Sequence, residues 1–446
     1  MNRENKCVLR AGAAAVDISP RKSLFLCGYP NVKRDSSGIH DPLMSSALFL
    51  DDGARQAVFI ANDIIYIPKG LGRLARARIA GATGVPEGRI MITATHTHSG
   101  PLTVARNYPS ADSVTPAPDA DYVAQLEDGI VQAAVAAVRA ARPAEAGLAA
   151  ADAAGVGTNR RVPHGPANLR VPVLSVRDAA THAHLALMTV CCMHPTVLHE
   201  NSTLVSGDFP GLARRYLQRH VVGAGCPVLH HSGPAGNQSP RHVTRGNTFE
   251  EAERLGTILG KAVEKALNGV AYRTALALGF AGANVELPRR NFPPAAEAEA
   301  DERASRERLE RMRRDGSPRA ETRTAECDWF GAARRSALAR FAANGGLDKA
   351  AAACMPAEIQ VIRAGPWSFI GWPGEIFIEF ALEAVRGFPD AFVIAYANGE
   401  TDGYLVTAEA VAEGGYEAAT GLFKSPESGD LLVKKTRELL ALSGNA

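Results

Sequence analysis

Apolar and polar positions alternate along this chain with two different periods. Short β-branched runs bounded by Gly, Pro or Asp predict strands, and longer stretches with apolar residues three and four apart predict amphipathic helices. Strands are predicted at Ser46–Leu50, Ala57–Ala61, Arg89–Ala94, Val171–Val176, Leu185–Val190, Pro227–His231, Ala275–Val285, Ala357–Ile362, Trp367–Ile370 and Ala391–Ala397. Helices are predicted at Pro68–Ala82, Tyr122–Ala141, Pro210–Val221, Phe249–Leu267, Ile376–Gly387 and about Leu431–Leu442. The alternation predicts an α/β fold with a mixed central β-sheet core and surrounding helices.

One segment departs from this pattern. From about Pro294 to Gly316 the chain is dense in Ala, Glu and Arg, and a mixed segment continues to about Cys354. This composition predicts a charged helical insertion at about 290–354 on the surface of a single domain that spans residues 1–446. A solvated structural arm and a lid over a functional site both fit such an insertion.

Composition narrows the class of protein. The 446 residues are 46% hydrophobic and 22% charged with a formal net charge of +2, which argues against a dedicated nucleic-acid binder. Neither an apolar run of transmembrane length nor a signal-peptide core is visible, so we expect a cytoplasmic chain without a stable membrane anchor. Seven cysteines without a CxxC pattern predict buried free thiols. These properties do not bear on the oligomeric state.

The most specific motif is Thr-His-Thr-His-Ser-Gly-Pro at Thr95–Pro101, directly after the predicted strand Arg89–Ala94. In extended backbone, residues two apart point to the same side, so His96 and His98 can face one site. Neutral imidazole is a common ligand of transition metals. The same segment also fits a strand end with two solvent-facing histidines.

Further short polar segments follow other predicted strands. They contain Arg160, His194, Asp208, Ser239, Glu375, Tyr404 and Tyr416. Each has a structural alternative: a core histidine, a helix cap, a negative charge at a helix start, or a packed or surface side chain. The loop that carries Ser239 is not a G-x-S-x-G elbow, so serine-hydrolase chemistry is not indicated.

These segments, in their order from Ala11–Pro20 to Tyr416, resemble the catalytic domain of the neutral/alkaline non-lysosomal ceramidase family. The resemblance implies a zinc ion and assigns it four ligands: His96, His194, Glu375 and Tyr404. It also implies amide hydrolysis by a metal-activated water, with His98 as general base and acid. Arg160 and Tyr416 would stabilise the oxyanion or orient the substrate, and Ser239 would hold the substrate by hydrogen bonding.

The chain departs from the family at several points. The serine loop reads Gly-Asn-Gln-Ser-Pro at Gly236–Pro240, where the family typically has Gly-Asp-Val-Ser-Pro, and Pro195 stands where the family usually has glycine. We also expect neither the signal sequence nor the C-terminal immunoglobulin-like domain of secreted members. We therefore predict a zinc-dependent amidohydrolase for a small or polar N-acyl substrate.

Three alternatives remain open at this point. The chain is a ceramidase that acts on ceramide itself, a zinc-containing protein that binds without catalysis, or a serine esterase without metal. Esters and lactams are also possible substrates. Asp63, Asp208 and the pair His40–Asp41 are candidates to orient the ligand histidines, with turn or capping roles as the alternative. His199, His230 and His231 are expected to be structural or to line the substrate pocket.

Overall fold

A computed structural model of the chain describes residues 8–105 and 112–443. The strands are β1 (Arg10–Asp17), β2 (Gly38–Ile39), β3 (Met44–Asp51), β4 (Gln56–Asn62), β5 (Ile90–Ala94), β6 (Arg142–Asp152), β7 (Thr158–Asn159), β8 (Arg170–Asp178), β9 (His184–Cys191), β10 (Leu204–Val205), β11 (Val228–Ser232), β12 (Gln238–Ser239), β13 (Leu278–Val285), β14 (Ala357–Ala364), β15 (Trp367–Gly371), β16 (Glu375–Ile376), β17 (Ala391–Ile394) and β18 (Tyr404–Leu405). The helices are α1 (Lys69–Thr83), α2 (Ala120–Arg139), α3 (Asp208–Leu217), α4 (Phe249–Leu267), α5 (Ala295–Arg314), α6 (Arg319–Ala343), α7 (Leu347–Cys354), α8 (Ile378–Ala384), α9 (Ala408–Glu413), α10 (Tyr416–Thr420) and α11 (Glu427–Ser443).

Two mixed sheets form the centre of the fold. The larger has eight strands in the order β11-β9-β8-β6-β1-β3-β4-β5, and the smaller has four in the order β13-β14-β15-β17. In the larger sheet β4–β5 and β9–β11 are parallel pairs, while β1–β3 and β6–β8 are antiparallel. The predicted mixed α/β fold is confirmed, with a second sheet added to the single one that was expected.

The two sheets face each other and helices cover their outer faces. Leu48, Met188 and Phe369 share the core between the sheets, whereas Phe49 lies in the core beneath α1 and α2. Helices α3 and α4 cover the β8–β9–β11 part of the large sheet, and α8 and α11 cover the small sheet. The period-2 alternation along each strand therefore divides its side chains between two cores.

Strands β1 and β6 do not appear among the predicted elements. Both are rich in Ala, the residue with the highest helix propensity, so their composition carries no β pattern. They become strands because they pair with neighbours on both sides, β1 with β3 and β6 and β6 with β1 and β8.

The charged stretch at about 290–354 contains helices α5, α6 and α7, as the composition indicated. Helix α6 buries small residues and packs on α10: Gly331 lies against Tyr416 and Ala419. In the part of the chain that the structure describes, none of the helices has both the length and the apolar character needed to cross a membrane.

Opposite edges of the large sheet meet at the carboxyl ends of their strands. The hydroxyl of Ser232, after β11, donates to the carbonyl of Thr95, after β5, at 2.7 Å. Thr93 in β5 also bonds the ring of His231 in β11 at 2.7 Å and bridges Ala397, after β17. The segments after β5, β9, β15 and β17 therefore converge on one region.

Candidate metal centre

His96 sits in a turn rather than in extended backbone. Strand β5 ends at Ala94, and His96 has φ +67°, a left-handed conformation that non-glycine residues adopt at a cost. Its backbone N–H donates to the carbonyl of Ile64 at 2.9 Å, and its Nδ1 lies 2.8 Å from the carbonyl of Ile65. The turn brings its Nε2 to 3.3 Å from Nε2 of His98. The two rings meet as predicted, although strand alternation is not the reason.

His194 follows β9 and presents the same nitrogen to the same region. Its Nδ1 lies 2.6 Å from the carbonyl of Ala235, so Nδ1 carries the hydrogen and Nε2 keeps its lone pair. Burial and then Arg160 lower the pKa of His194 to about 4, which keeps the ring neutral. In both His96 and His194 a main-chain carbonyl therefore fixes the tautomer with Nε2 as the acceptor, the arrangement found in metal-ligating histidines.

Glu375 supplies a carboxylate to the two imidazoles. It lies in the two-residue strand β16, directly beside Tyr404 of β18 in a parallel register. Its Oε2 is 3.5 Å from Nε2 of His96 and 3.3 Å from Nε2 of His194. Helix α8 begins only at Ile378, so the predicted position of Glu375 at a helix start is wrong. Gly374 has φ +86°, and a side chain there would collide with Thr401.

Tyr404 completes the predicted ligand set. It lies beside Glu375 in the β16–β18 register, and the guanidinium of Arg160 stands 5.4 Å over its ring. Burial and then the charge of Glu375 raise the pKa of Tyr404 well above its ordinary value, so the phenol keeps its proton until a cation lowers that pKa.

The donor atoms fit a zinc ion. With Zn–N and Zn–O bonds of about 2.0–2.1 Å, tetrahedral geometry places donor atoms roughly 3.3–3.4 Å apart. The carboxylate oxygen of Glu375 is 3.3 and 3.5 Å from the two imidazole nitrogens. Nε2 of His194 and Oε2 of Glu375 are buried and have no hydrogen-bond partner among residues 8–105 and 112–443.

His98 is close enough to be a third imidazole ligand, because one ring nitrogen from each of the three histidines lies within 4.8 Å of the others. Two observations set it apart: its ring is partly exposed, and its Nδ1 has no hydrogen-bond partner to fix a tautomer. The loop before β2 holds it in place: Tyr29 packs edge-on at 5.3 Å, and Arg34 donates to its carbonyl at 2.5 Å. Gly28 has φ +124°, and a side chain there would collide with the ring of His98.

Arg160 lies on the far side of Tyr404. Its guanidinium donates to Glu417 at 2.9 Å and stands 5.4 Å over the ring of Tyr404. Burial would lower the pKa of Arg160, but Tyr404 and Glu417 raise it well above the usual value, so the cation persists. The ring of Tyr416 is 5.8 Å from that of Tyr404, and burial followed by Glu375 raises the pKa of Tyr416 to about 12.

Ser239 lies on an adjoining loop. Its hydroxyl accepts the N–H of Arg241 at 3.2 Å and so caps a short 3₁₀ turn. The loop is held at Gln238, whose carbonyl accepts the N–H of His194, and at Asn237, whose carbonyl accepts the N–H of Arg160. Among the described hydrogen bonds, that of the Ser239 hydroxyl goes to main chain rather than to a histidine.

The comparisons with known proteins point to one family. Residues 10–228 match the family model described as neutral/alkaline non-lysosomal ceramidase, N-terminal. Over these residues the chain resembles that ceramidase family. The neutral ceramidase of Mycobacterium tuberculosis (strain ATCC 25618 / H37Rv) is 27% identical over 235 residues, which are 49% of this chain and 37% of that protein. The chain thus spans well under half of that relative.

Solved ceramidase structures share the fold. The crystal structure of neutral ceramidase from Pseudomonas aeruginosa superposes with a TM-score of 0.76 at 19% identity, covering 99% of this chain and 75% of that one. A structure described as ceramidase complexed with C2 gives a TM-score of 0.73 at 18% identity, covering 98% of this chain and 76% of that one. The likeness extends beyond the segment matched by the ceramidase family model.

Other candidates near the ceramidase-like centre have structural contacts. Asp63 accepts from Arg214 at 2.5 Å and from the N–H of Met44, so it does not orient either ligand histidine. Asp208 accepts N–H groups of Val197, Leu198 and Phe209, and Asp41 accepts the hydroxyl of Ser206. The three remaining histidines contact ring or hydroxyl neighbours: His199 with Tyr29, His230 with Phe209 and His231 with Thr93.

Sequence reasoning missed three contact residues in the ceramidase-like centre. Glu417 pairs with Arg160, Arg34 holds the main chain of His98, and Tyr66 donates a short hydrogen bond to Oε1 of Glu375. None of them lies in a motif, because each is recognisable only by the residue that it touches across the fold.

Proposed function

We propose that this chain is a zinc-dependent amidohydrolase, with His96, His194, Glu375 and Tyr404 as the residues that hold the metal. The observation that supports this proposal most directly is that one carboxylate oxygen of Glu375 lies at a tetrahedral donor–donor distance from Nε2 of His96 and from Nε2 of His194. A bound zinc ion would supply Lewis acidity and lower the pKa of water to about 7.

His98 serves as general base and acid in this proposal. Its Nε2 lies at the edge of the metal-binding residues, 3.3 Å from Nε2 of His96, and His98 is less completely buried than His96 or His194. Burial, followed by His96 and His194, lowers the pKa of His98 well below its ordinary value. The neutral ring can therefore accept a proton from water and pass it to the departing amine.

Arg160 and Tyr416 stabilise negative charge on the substrate oxygen. Arg160 is a half-buried cation held by Glu417, and Tyr416 is a half-buried phenol that keeps its proton at neutral pH. Preorganised donors in a buried site act without having to reorient during the reaction. Ser239 binds the substrate by hydrogen bonding, since its hydroxyl hydrogen is not used in accepting the N–H of Arg241.

The substrate class we favour is a small or polar N-acyl amide. Charged pairs surround the centre: Arg161 bonds Glu417 and Glu413, and Arg323 bonds Glu200 on the segment after His194. Such a rim suits polar substrates better than two long acyl chains. Ceramide is the second candidate, and the names of the Mycobacterium tuberculosis and Pseudomonas aeruginosa relatives favour it.

Hydrolysis of an amide panel, from short N-acyl amines to ceramide in mixed micelles, tests the proposal. We expect turnover that a chelator abolishes and added zinc restores, with short polar amides preferred over ceramide. A preference for ceramide would make ceramide the first substrate candidate and small polar amides the second. If activity survives chelation but is lost in Ser239→Ala, the chain is a serine hydrolase rather than a zinc enzyme. If the zinc-loaded chain turns over none of the amides, a zinc-containing binding protein is favoured.

A further inference from the structure

Tyr66 is hydrogen-bonded to one oxygen of the Glu375 carboxylate, and the other oxygen faces the proposed metal site. Its hydroxyl donates to Oε1 of Glu375, whereas Oε2 faces His96 and His194 without a hydrogen-bond partner. One oxygen of the Glu375 carboxylate is thus hydrogen-bonded to Tyr66, and the other faces the position where a metal ion would bind.

The segment that carries Tyr66 also orients a second metal-binding residue. The carbonyl of Ile65 accepts Nδ1–H of His96, and the carbonyl of Ile64 accepts its backbone N–H. The segment is itself held, because the hydroxyl of Thr103 donates to the carbonyl of Tyr66 at 2.9 Å. Three consecutive residues therefore set the positions of His96 and Glu375 relative to each other.

We infer that Tyr66 is a positioning residue of the metal centre, which holds Oε1 of Glu375 so that Oε2 faces His96 and His194, where a zinc ion would bind. The inference rests on the proposed zinc site. Without the hydroxyl, the carboxylate can rotate and its Oε1 loses a buried donor, so the bound geometry is less preorganised. Loss of a hydrogen bond to a metal ligand typically weakens metal binding by about 10–100-fold. Burial and then Glu375 raise the pKa of Tyr66, which keeps the phenol a donor.

Tyr396 provides a matched control. Both tyrosine rings pack on His96, Tyr66 edge-on at 5.0 Å and Tyr396 stacked at 4.2 Å. The hydroxyl of Tyr396 is buried but has no hydrogen-bond partner, so Tyr396→Phe removes a hydroxyl beside the same ring without touching Glu375.

The experiment measures the zinc dissociation constant by competition with a chromophoric chelator, with the melting temperature of the metal-free protein as a folding control. We expect zinc affinity to fall about 10–100-fold in Tyr66→Phe and to stay within about twofold in Tyr396→Phe. In a Glu375→Ala background, Tyr66→Phe should change the affinity by less than about twofold, because the carboxylate it positions is gone.

Three results would overturn the inference. Wild-type affinity in Tyr66→Phe would show that the hydroxyl does not position Glu375. An equal loss in the Glu375→Ala background would show that Tyr66 acts through another residue. In both cases wild-type protein still binds zinc and the proposed function survives, whereas a wild type that binds no zinc would overturn both.

Discussion

His96 and His194 each give their Nδ1 hydrogen to a main-chain carbonyl, and His98 does not. This difference divides three neighbouring imidazoles into two with a fixed Nε2 lone pair and one that is free to gain and lose a proton. A fixed tautomer suits a metal ligand, and a free one suits an acid–base group.

At the residue scale, His98→Ala should separate catalysis from metal binding. We expect the variant to keep about one zinc per chain and to lose about 10²–10⁴-fold in kcat, the usual contribution of a general acid–base group. His182→Ala, in the turn between β8 and β9, is the control and should keep both properties. Loss of zinc from His98→Ala would instead make His98 a ligand.

The residue types of the centre could be predicted from the sequence because each follows a strand, but their partners could not. Tyr66 and Glu375 are 309 positions apart, and Arg160 and Glu417 are 257 positions apart. No periodicity connects positions so distant. The motif containing His96 correctly predicted that the rings of His96 and His98 meet, but its extended backbone was predicted incorrectly, because a left-handed turn is set by the two carbonyls that His96 contacts.

At the scale of elements, the site depends on short strands that period-based reasoning cannot detect. Strands β16 and β18 have two residues each, yet their parallel pairing sets Glu375 beside Tyr404. Strands β5 and β11 are the two edge strands of the eight-stranded sheet, and the Ala-rich strands β1 and β6 lie between them in the strand order. The sequence could therefore predict the strands around the site better than their arrangement.

Helix α6 supports the helix that carries Tyr416 and Glu417. The Cα of Gly331 faces Tyr416 and Ala419 so closely that a Cβ there would lie 3.0–3.3 Å from their atoms. We expect Gly331→Leu to displace α10 and lower kcat/KM about tenfold or more while zinc content is retained, since small misplacements of positioning groups are costly.

Gly81→Leu is the matched control for this change. Gly81 also lies within a helix, but a Cβ there meets nothing within 4 Å. The control should keep full activity and gain slightly in stability, because Gly is a weak helix former. Unchanged kcat/KM in a folded Gly331→Leu variant would contradict a supporting role for α6.

At the scale of the whole molecule, the centre lies where two sheets and several hydrophobic cores meet, and charged groups buried there make stability depend on pH. Glu400 follows β17; burial and then Asp402 raise its pKa to about 8, and its Oε2 has no hydrogen-bond partner. Because this pKa lies above the ordinary value of 4.5 for glutamate, the folded state holds a proton that the unfolded state releases between these pH values.

The free energy of unfolding should therefore fall as pH rises from about 4.5 to about 8, and Glu400→Gln should remove that part of the decline. Urea unfolding across this range measures it: we expect the variant to match wild type at the acid end and exceed it at the alkaline end. Glu310→Gln, which breaks an exposed i,i+4 pair with Arg306, should shift stability by less than about 1 kcal/mol at every pH. Parallel wild-type and Glu400→Gln curves would refute the assignment.

The most direct test of the account is the zinc content of the purified chain, measured by inductively coupled plasma mass spectrometry for wild type, His194→Ala and Glu375→Ala. We expect about one zinc per wild-type chain and loss of zinc from both variants, which each lack one of the proposed donor side chains. A wild type that stays free of metal when zinc is supplied, or variants that keep it, would contradict the central claim.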